Sequence, residues 1–338
     1  MPEMFVPLPP RGDAVTRRSD EVTVTAPAWT RHPALADLVP LMTDPRTTDV
    51  FVNGAGSVFV DDGSGLREVP SPPRSEAETR ALAVALVGAG GRHIDEATPC
   101  VDVRLDGGVR VHAVLPPLAV DGTLVSIRVS RLARIRLRDL ERGGMFDAEL
   151  ALRLRSLVSE RRNILVTGAT GAGKTTLLAA LLSEADPRER IVTIEDVAEL
   201  AIDHPHHVRL EARQANLEGA GAIDLARLAR EALRMRPDRL IVGECRGAEV
   251  RELLTALNTG HDGGAGTVHA NSLGDVAARL EALGALAGLG DRALARQVAS
   301  AIDVVIHVER DSGGRRHIAA LGEPAVAADG RLVIEQAA

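Results

Sequence analysis

Residues 163–181, NILVTGATGAGKTTLLAAL, place a glycine-rich octet between two apolar runs. The octet is Gly168, Ala169, Thr170, Gly171, Ala172, Gly173, Lys174 and Thr175, and it fits G-x-x-x-x-G-K-[ST]. An apolar strand pattern (NILVT) comes before it and a helical pattern (TLLAALL) after it, the context such a loop needs. The glycines let backbone N–H groups turn inward around a phosphate, and the helix N-terminus adds partial positive charge. Lys174 is expected to reach the β- and γ-phosphates of ATP, and the Thr175 hydroxyl to hold Mg²⁺. These eight residues, with Thr176 beside them, are the expected nucleotide-binding set. Lys174 is also the chain's single lysine; the other 39 of its 40 basic side chains are arginine. Arginine carries a broad planar fork, whereas lysine is a compact charge on a thin stem that can enter a narrow backbone cradle. One position has kept lysine against the composition of the whole chain.

The rest of the chain organises around that loop. At 338 residues it suits two domains of ordinary size. Residues 1–30 lack periodicity and read as a mobile leader. PALADLVPLM reads as a short helix, TDVFVNG and SVFVDD as β-rich pieces, and SEAETRALAVALV as a helix with a serine start and early acids. CVDVRL, the turn DGG and VRVHAVL read as a hairpin, followed by the strand TLVSIRVS. These give a smaller α+β domain over 31–130. Residues 131–147, rich in arginine and carrying two glycines, read as a linker. From 148 to 338 strands and helices alternate, the mark of a parallel sheet flanked by helices. The fold class is α/β.

Composition narrows the function. A net charge of −7 and only 1% aromatic residues argue against general nucleic-acid affinity and against stacking platforms for single strands. Cys100 and Cys245 offer neither a disulfide framework nor zinc spacing. No apolar run approaches the roughly 18 residues of a membrane span, so a cytoplasmic location is expected.

Acids and histidines follow the loop at strand ends. RIVTIEDVAEL (190–200) ends a buried strand with Glu195, Asp196 and Glu199. RPDRLIVGECRG (236–247) ends another at Glu244, with Gly243 where a metal-shell aspartate is usual. Thr175 is thus the expected direct metal ligand, with Glu195 or Asp196 acting through water. Glu244 is the leading residue to activate the attacking water, with Glu195 as the alternative. AGTVHANS ends a short strand at His269, positioned to sense the γ-phosphate; His261 is a weaker second choice, and SLGD reads as a capping box. The HPHH run (204–207) reads as a solvated turn rather than a metal site.

GATGAGKTT, TIEDVAEL, RPDRLIVGECRG and NTGHDGGAGTVHANS resemble the Walker A, Asp-box, Walker B and His-box motifs of the type II/type IV secretion ATPases. GECRGAEV with NTGHDG resembles the tight-adherence pilus and conjugal-transfer branch. The resemblance covers roughly 31–320. It implies a RecA-like P-loop NTPase domain preceded by a smaller α+β domain, nucleotide bound between the two, and a homo-oligomer, a hexameric ring. It also implies turnover that drives motion against an inner-membrane platform protein, at the inner face of the membrane. The family's N-terminal domain supplies arginines to the phosphates; the matching positions are Arg110 and Arg128, with Arg104 a lesser one. Arg246 is expected to pair with an acid or reach a neighbouring subunit. Three functions follow in order: a ring ATPase for pilus assembly or secretion, a DNA-transfer motor of the same fold, and a non-hydrolysing nucleotide-binding scaffold.

Overall fold

The computed structural model describes residues 28–337 apart from Pro45, Ser64, Ser71, Pro73, Gly107, 130–134 and 214–220. The leader expected at 1–30 lies outside the described residues up to position 27, as do 131–134 of the expected linker. The chain divides into two compact units, 1–129 and 130–338.

The first unit has a short helix α1 (Val39–Thr43), strands β1 (Asp49–Asn53), β2 (Ser57–Asp61) and β3 (Leu66–Val69), helix α2 (Glu76–Ala89), and strands β4 (Cys100–Leu105), β5 (Val109–Val114) and β6 (Leu124–Val129). The strands form one antiparallel sheet in the order β3-β2-β1-β6-β5-β4. Strict alternation puts Val50, Val52, Val109, Val111, Val125 and Ile127 on the buried face, with Leu82, Leu86 and Val87 of α2 in the same core. α2 starts where Ser75 and Glu78 cap each other's backbone N–H groups. PALADLVPLM is not one helix. A 3-10 turn (Pro33–Leu35) precedes α1, which begins next to Pro40. Proline lacks the N–H to continue a helix from upstream and is tolerated only in the first turn.

The second unit contains α3 (Leu137–Arg142), α4 (Ala148–Ser159), β7 (Ile164–Gly168), α5 (Lys174–Leu182), β8 (Ile191–Glu195), β9 (His207–Glu211), α6 (Leu225–Leu233) and β10 (Arg239–Val242). Then come α7 (Glu249–Leu257), β11 (Ala265–His269), α8 (Val276–Leu286), α9 (Asp291–Ala301), β12 (Val304–Arg310), β13 (Arg316–Val326) and β14 (Leu332–Gln336). The sheet order is β14-β13-β12-β7-β11-β10-β8-β9, parallel from β12 to β9 and antiparallel at the other end. Strands β7, β8 and β10 are buried throughout because helices cover both faces. One core joins Ile164, Val166, Ile241 and Ile306 to α4 and α5; the other joins Leu165, Ile194, Val242 and Val305 to α7, α8 and α9.

Residues from 137 onward in the expected linker are helix and turn, and Leu137, Met145 and Phe146 are buried with α5 in the second unit's core. The apolar residues spaced among the arginines of this stretch supply that burial. SLGD does not cap α8 either: Ser272 and Asp275 bond each other, but the helix starts after Asp275, which makes no side-chain cap. Among the described residues no helix is long and apolar enough to cross a membrane.

Candidate functional site

The glycine-rich loop 168–173 leaves the sheet at the C-terminal end of β7, between β11 and β12, where open parallel sheets place their ligands. Gly168, the last strand residue, has φ 150°, and a Cβ there would lie 2.3 Å from the Val308 carbonyl oxygen. Glycine is what allows β7 to run this close to β12 as the chain turns outward. Lys174 opens α5 with its side chain folded back into the loop, only 6% exposed. Its Nζ donates to the carbonyl oxygens of Gly168 (3.0 Å) and Ala169 (2.9 Å) and stands 3.2 Å from Nδ1 of His269. Burial lowers the Lys174 pKa from 10.5, the Arg246 charge lowers it further, and Glu244 opposes both. Thr175 is half-buried in the first turn of α5, beside Thr176.

His269 ends β11, and its other ring nitrogen, Nε2, lies 2.7 Å from Oε1 of Glu244. An ammonium can only donate, so Nδ1 accepts from Lys174 and the proton sits on Nε2; it lies close to Glu244 but out of line for a hydrogen bond, and Glu244 Oε1 has no hydrogen-bond partner among the described residues. Burial and then the Lys174 charge hold the His269 pKa below 6.5, against the pull of Glu244. Glu244 is held from its other side by Arg246, whose Nη2 is 2.7 Å from Oε2. Burial alone would raise the Glu244 pKa; Arg246, His269 and Lys174 together bring it below 4.5. Lys174, His269, Glu244 and Arg246 therefore lie as one cluster of polar neighbours between the glycine-rich loop and the end of β10. Arg246 pairs with an acid, as one of its two expected roles required.

Glu249 completes this arrangement. Nearly buried in the first turn of α7, it accepts the backbone N–H groups of Arg246 and Gly247 and so fixes the turn that carries Glu244. An acid in the first turn of the α7 pattern is the signal that could have identified it.

Glu195 ends β8 beside Gly243 and is 4% exposed. Its Oε1 accepts N–H bonds from Glu199 and Leu200, each 2.9 Å. Oε2 has no hydrogen-bond partner among the described residues. Burial raises its pKa above 4.5, and the two backbone donors pull the other way. A buried carboxylate oxygen without a donor costs free energy unless a ligand or water supplies one. Gly243 makes room for this side chain: a Cβ there would lie 2.5 Å from Cγ of Glu195. The absent aspartate at 243 and the buried Glu195 are thus one arrangement, in which the neighbouring strand fills the space. Gly243→Ala is expected to push Glu195 aside, at a cost of ~1–3 kcal/mol for overpacking. A lower melting temperature together with at least about tenfold slower turnover would be measured; an unchanged rate would show that Glu195 is not needed in place.

Asp196, one residue beyond β8, is exposed and lies within the field of Arg246. The HPHH histidines do not converge. His204 meets the Asp186 carbonyl, His206 meets Arg190, and His207 meets Thr193. His261 precedes β11 and so sits at the end of the sheet opposite the glycine-rich loop, away from His269. In the first unit, Arg110 and Arg128 project from the face opposite the core, between buried Val109, Val111, Ile127 and Val129. Cross-strand register places Arg104, Arg110, Arg128 and Asp49 side by side in one row, and Arg128 pairs with Asp49 at 3.0 Å.

A model of the type II/IV secretion system protein family matches residues 35–320. A putative conjugal transfer protein of Mycobacterium tuberculosis is 54% identical over 83% of this chain and 82% of its own length. The type IV secretion system protein VirB11 of Brucella suis is 33% identical over 84% of this chain and 87% of its own. Among solved structures, the Legionella pneumophila ATPase DotB superposes with a TM-score of 0.60 at 20% identity, over 89% of this chain and 83% of that one. That last likeness bears on the fold alone.

Proposed function

The chain belongs to the type II/IV secretion system protein family, and from that premise we propose that it is an ATP hydrolase powering a secretion, pilus or conjugation apparatus. The observation that carries the reading is the Lys174 ammonium folded into loop 168–174, with Nδ1 of His269 at 3.2 Å and, on the other side of that ring, Glu244 Oε1 at 2.7 Å from Nε2. Loop amides and Lys174 bind the β- and γ-phosphates. To reach them the ammonium gives up the Gly168 and Ala169 carbonyls and releases Nδ1 of His269, so the histidine registers whether a phosphate is present. Glu244, charged at neutral pH, accepts the proton of the attacking water, and Arg246 holds its carboxylate in line. The Glu195 Oε2 accepts from a second water, or serves a metal shell. The residues that would hold Mg²⁺ are Thr175 with Glu195 or Asp196; the orphaned Glu195 oxygen fits that task. When bound, the ion neutralises charge on the phosphate oxygens.

The protein acts as a homo-oligomer, a hexameric ring, held at the inner membrane face by a platform protein. Within the first unit, the Arg104, Arg110 and Arg128 row is the proposed set of anion-directed cations. Turnover that rises with protein concentration and with platform protein supports this reading; a rate indifferent to both would oppose it. The conjugal-transfer name of the 54% identical relative favours a second reading, a DNA-transfer motor. Turnover stimulated by DNA, in a salt-sensitive way, would select it.

The pH profile follows from the site. His269 acts neutral, and its pKa lies below 6.5. Activity is therefore expected to hold down to pH 6.5 and to fall below it, as protonation puts a second cation against Lys174. A rate rising on acidification would contradict the assignment.

A further inference from the structure

The β12–β13 hairpin is not part of any motif assigned above, yet it closes the outer side of the phosphate loop. On β12, the Val308 carbonyl takes up the space that a Cβ on Gly168 would need. On β13, Arg316 reaches back over the loop. Its Nε donates to the Gly171 carbonyl at 3.0 Å, and its Cδ lies 3.1 Å from where a Cβ on Gly173 would stand. Two residues on, the Ile318 N–H donates to the Met145 carbonyl at 3.0 Å, and the Met145 methyl group approaches Gly173 from the same side. The loop is thus held from within by Lys174 on the carbonyls of Gly168 and Ala169, and from outside by Arg316 on the carbonyl of Gly171.

We propose that Arg316 is a positioning residue for nucleotide binding, acting through the phosphate loop. Gly171 and Gly173 both have positive φ, 74° and 101°, and neither carries a side chain that could restrain the backbone. Such a segment loses much conformational entropy when it orders around a phosphate. Arg316 meets that cost in advance. Its guanidinium fixes the Gly171 peptide, whose nitrogen side is the Ala172 N–H, and its methylenes cover Gly173. The hydrogen bond is charge-assisted, the stronger kind. It is made whether the phosphate is in its ground state or in the transition state. Loss of Arg316 therefore weakens ATP binding without a matching loss in the chemical step.

This inference rests on the reading of residues 168–175 as a nucleotide site. The test uses the full-length chain and the variants Arg316→Met and Arg316→Lys, with ADP affinity and steady-state ATP kinetics. Methionine keeps the apolar cover over Gly173 and removes the donor; lysine keeps a cationic donor of similar reach. The expected result for Arg316→Met is about tenfold weaker ADP binding and an equal rise in KM, with kcat changed by less than about threefold. Arg316→Lys is expected to recover most of the lost affinity. Unchanged affinity in Arg316→Met would overturn the proposal. So would a fall in kcat with KM unaltered, or a lysine variant that restores the melting temperature but not the affinity. If the unaltered chain binds neither ADP nor ATP, the nucleotide reading fails at its base. If it binds and Arg316→Met binds equally well, only the role of Arg316 fails.

Discussion

Lys174→Ala is expected to lose ATP binding by at least about 100-fold, with hydrolysis falling below detection. The ammonium is buried and already committed to hydrogen bonding, with two carbonyls and an imidazole as partners. Phosphate oxygens carry full charge and replace those partners favourably. Each charge-assisted bond is worth ~1.5–3 kcal/mol, so two of them amount to ~3–6 kcal/mol, which exceeds 100-fold in Kd. Lys174→Arg is expected to fail almost as completely. A guanidinium keeps the charge, but its planar fork needs more width than the cleft between loop and His269 allows. Calorimetric titration of ATP into both variants measures this. An arginine variant that binds like the parent would remove the explanation for the chain's single lysine.

The second large effect belongs to Glu244→Gln. Glutamine preserves the size of the side chain and leaves an oxygen for Arg246, but it cannot take a proton. Position is kept and basicity is lost, so kcat is expected to fall ~10²–10⁴-fold while ATP affinity stays within about threefold. Glu195→Gln is expected to be milder. Its amide oxygen still accepts from the backbone of Glu199 and Leu200, and what changes is the unpartnered atom. Single-turnover rates for the two variants separate the roles. A larger loss in Glu195→Gln than in Glu244→Gln would exchange them.

The central elements of the fold were readable because burial on both faces forces near-continuous apolar runs. ILVTG, IVTIE and RLIV are such runs, and they became β7, β8 and β10. Strands β3, β9 and β14 carried no comparable signal. They lie at sheet edges, and their residues are mostly exposed or half-buried, so neither alternation nor an apolar run marks them. The HPHH turn runs directly into β9 for this reason. α3 was hidden by its arginines, since one buried leucine in a six-residue helix gives no period to detect.

The site shows the same division. Lys174, Glu195, Glu244 and His269 could be singled out because each stands at a strand end or in a motif. Their mutual contacts could not, because residues 174, 244 and 269 meet only through the order of the strands. In the sequence Gly243 stands only as a missing aspartate, yet its reason lies on the adjacent strand, in the volume of Glu195. Arg316 acts on a backbone group, a function that no residue pattern announces, whereas Glu249 left only the trace of an acid in the first turn of α7.

Single-turnover phosphate release from Mg·ATP tests the central claim most directly, with the full chain, Lys174→Ala and Glu244→Gln run side by side. The account predicts release by the unaltered chain, ATP retained but hardly cleaved by Glu244→Gln, and neither binding nor cleavage by Lys174→Ala. Release by Lys174→Ala at the rate of the unaltered chain would contradict it.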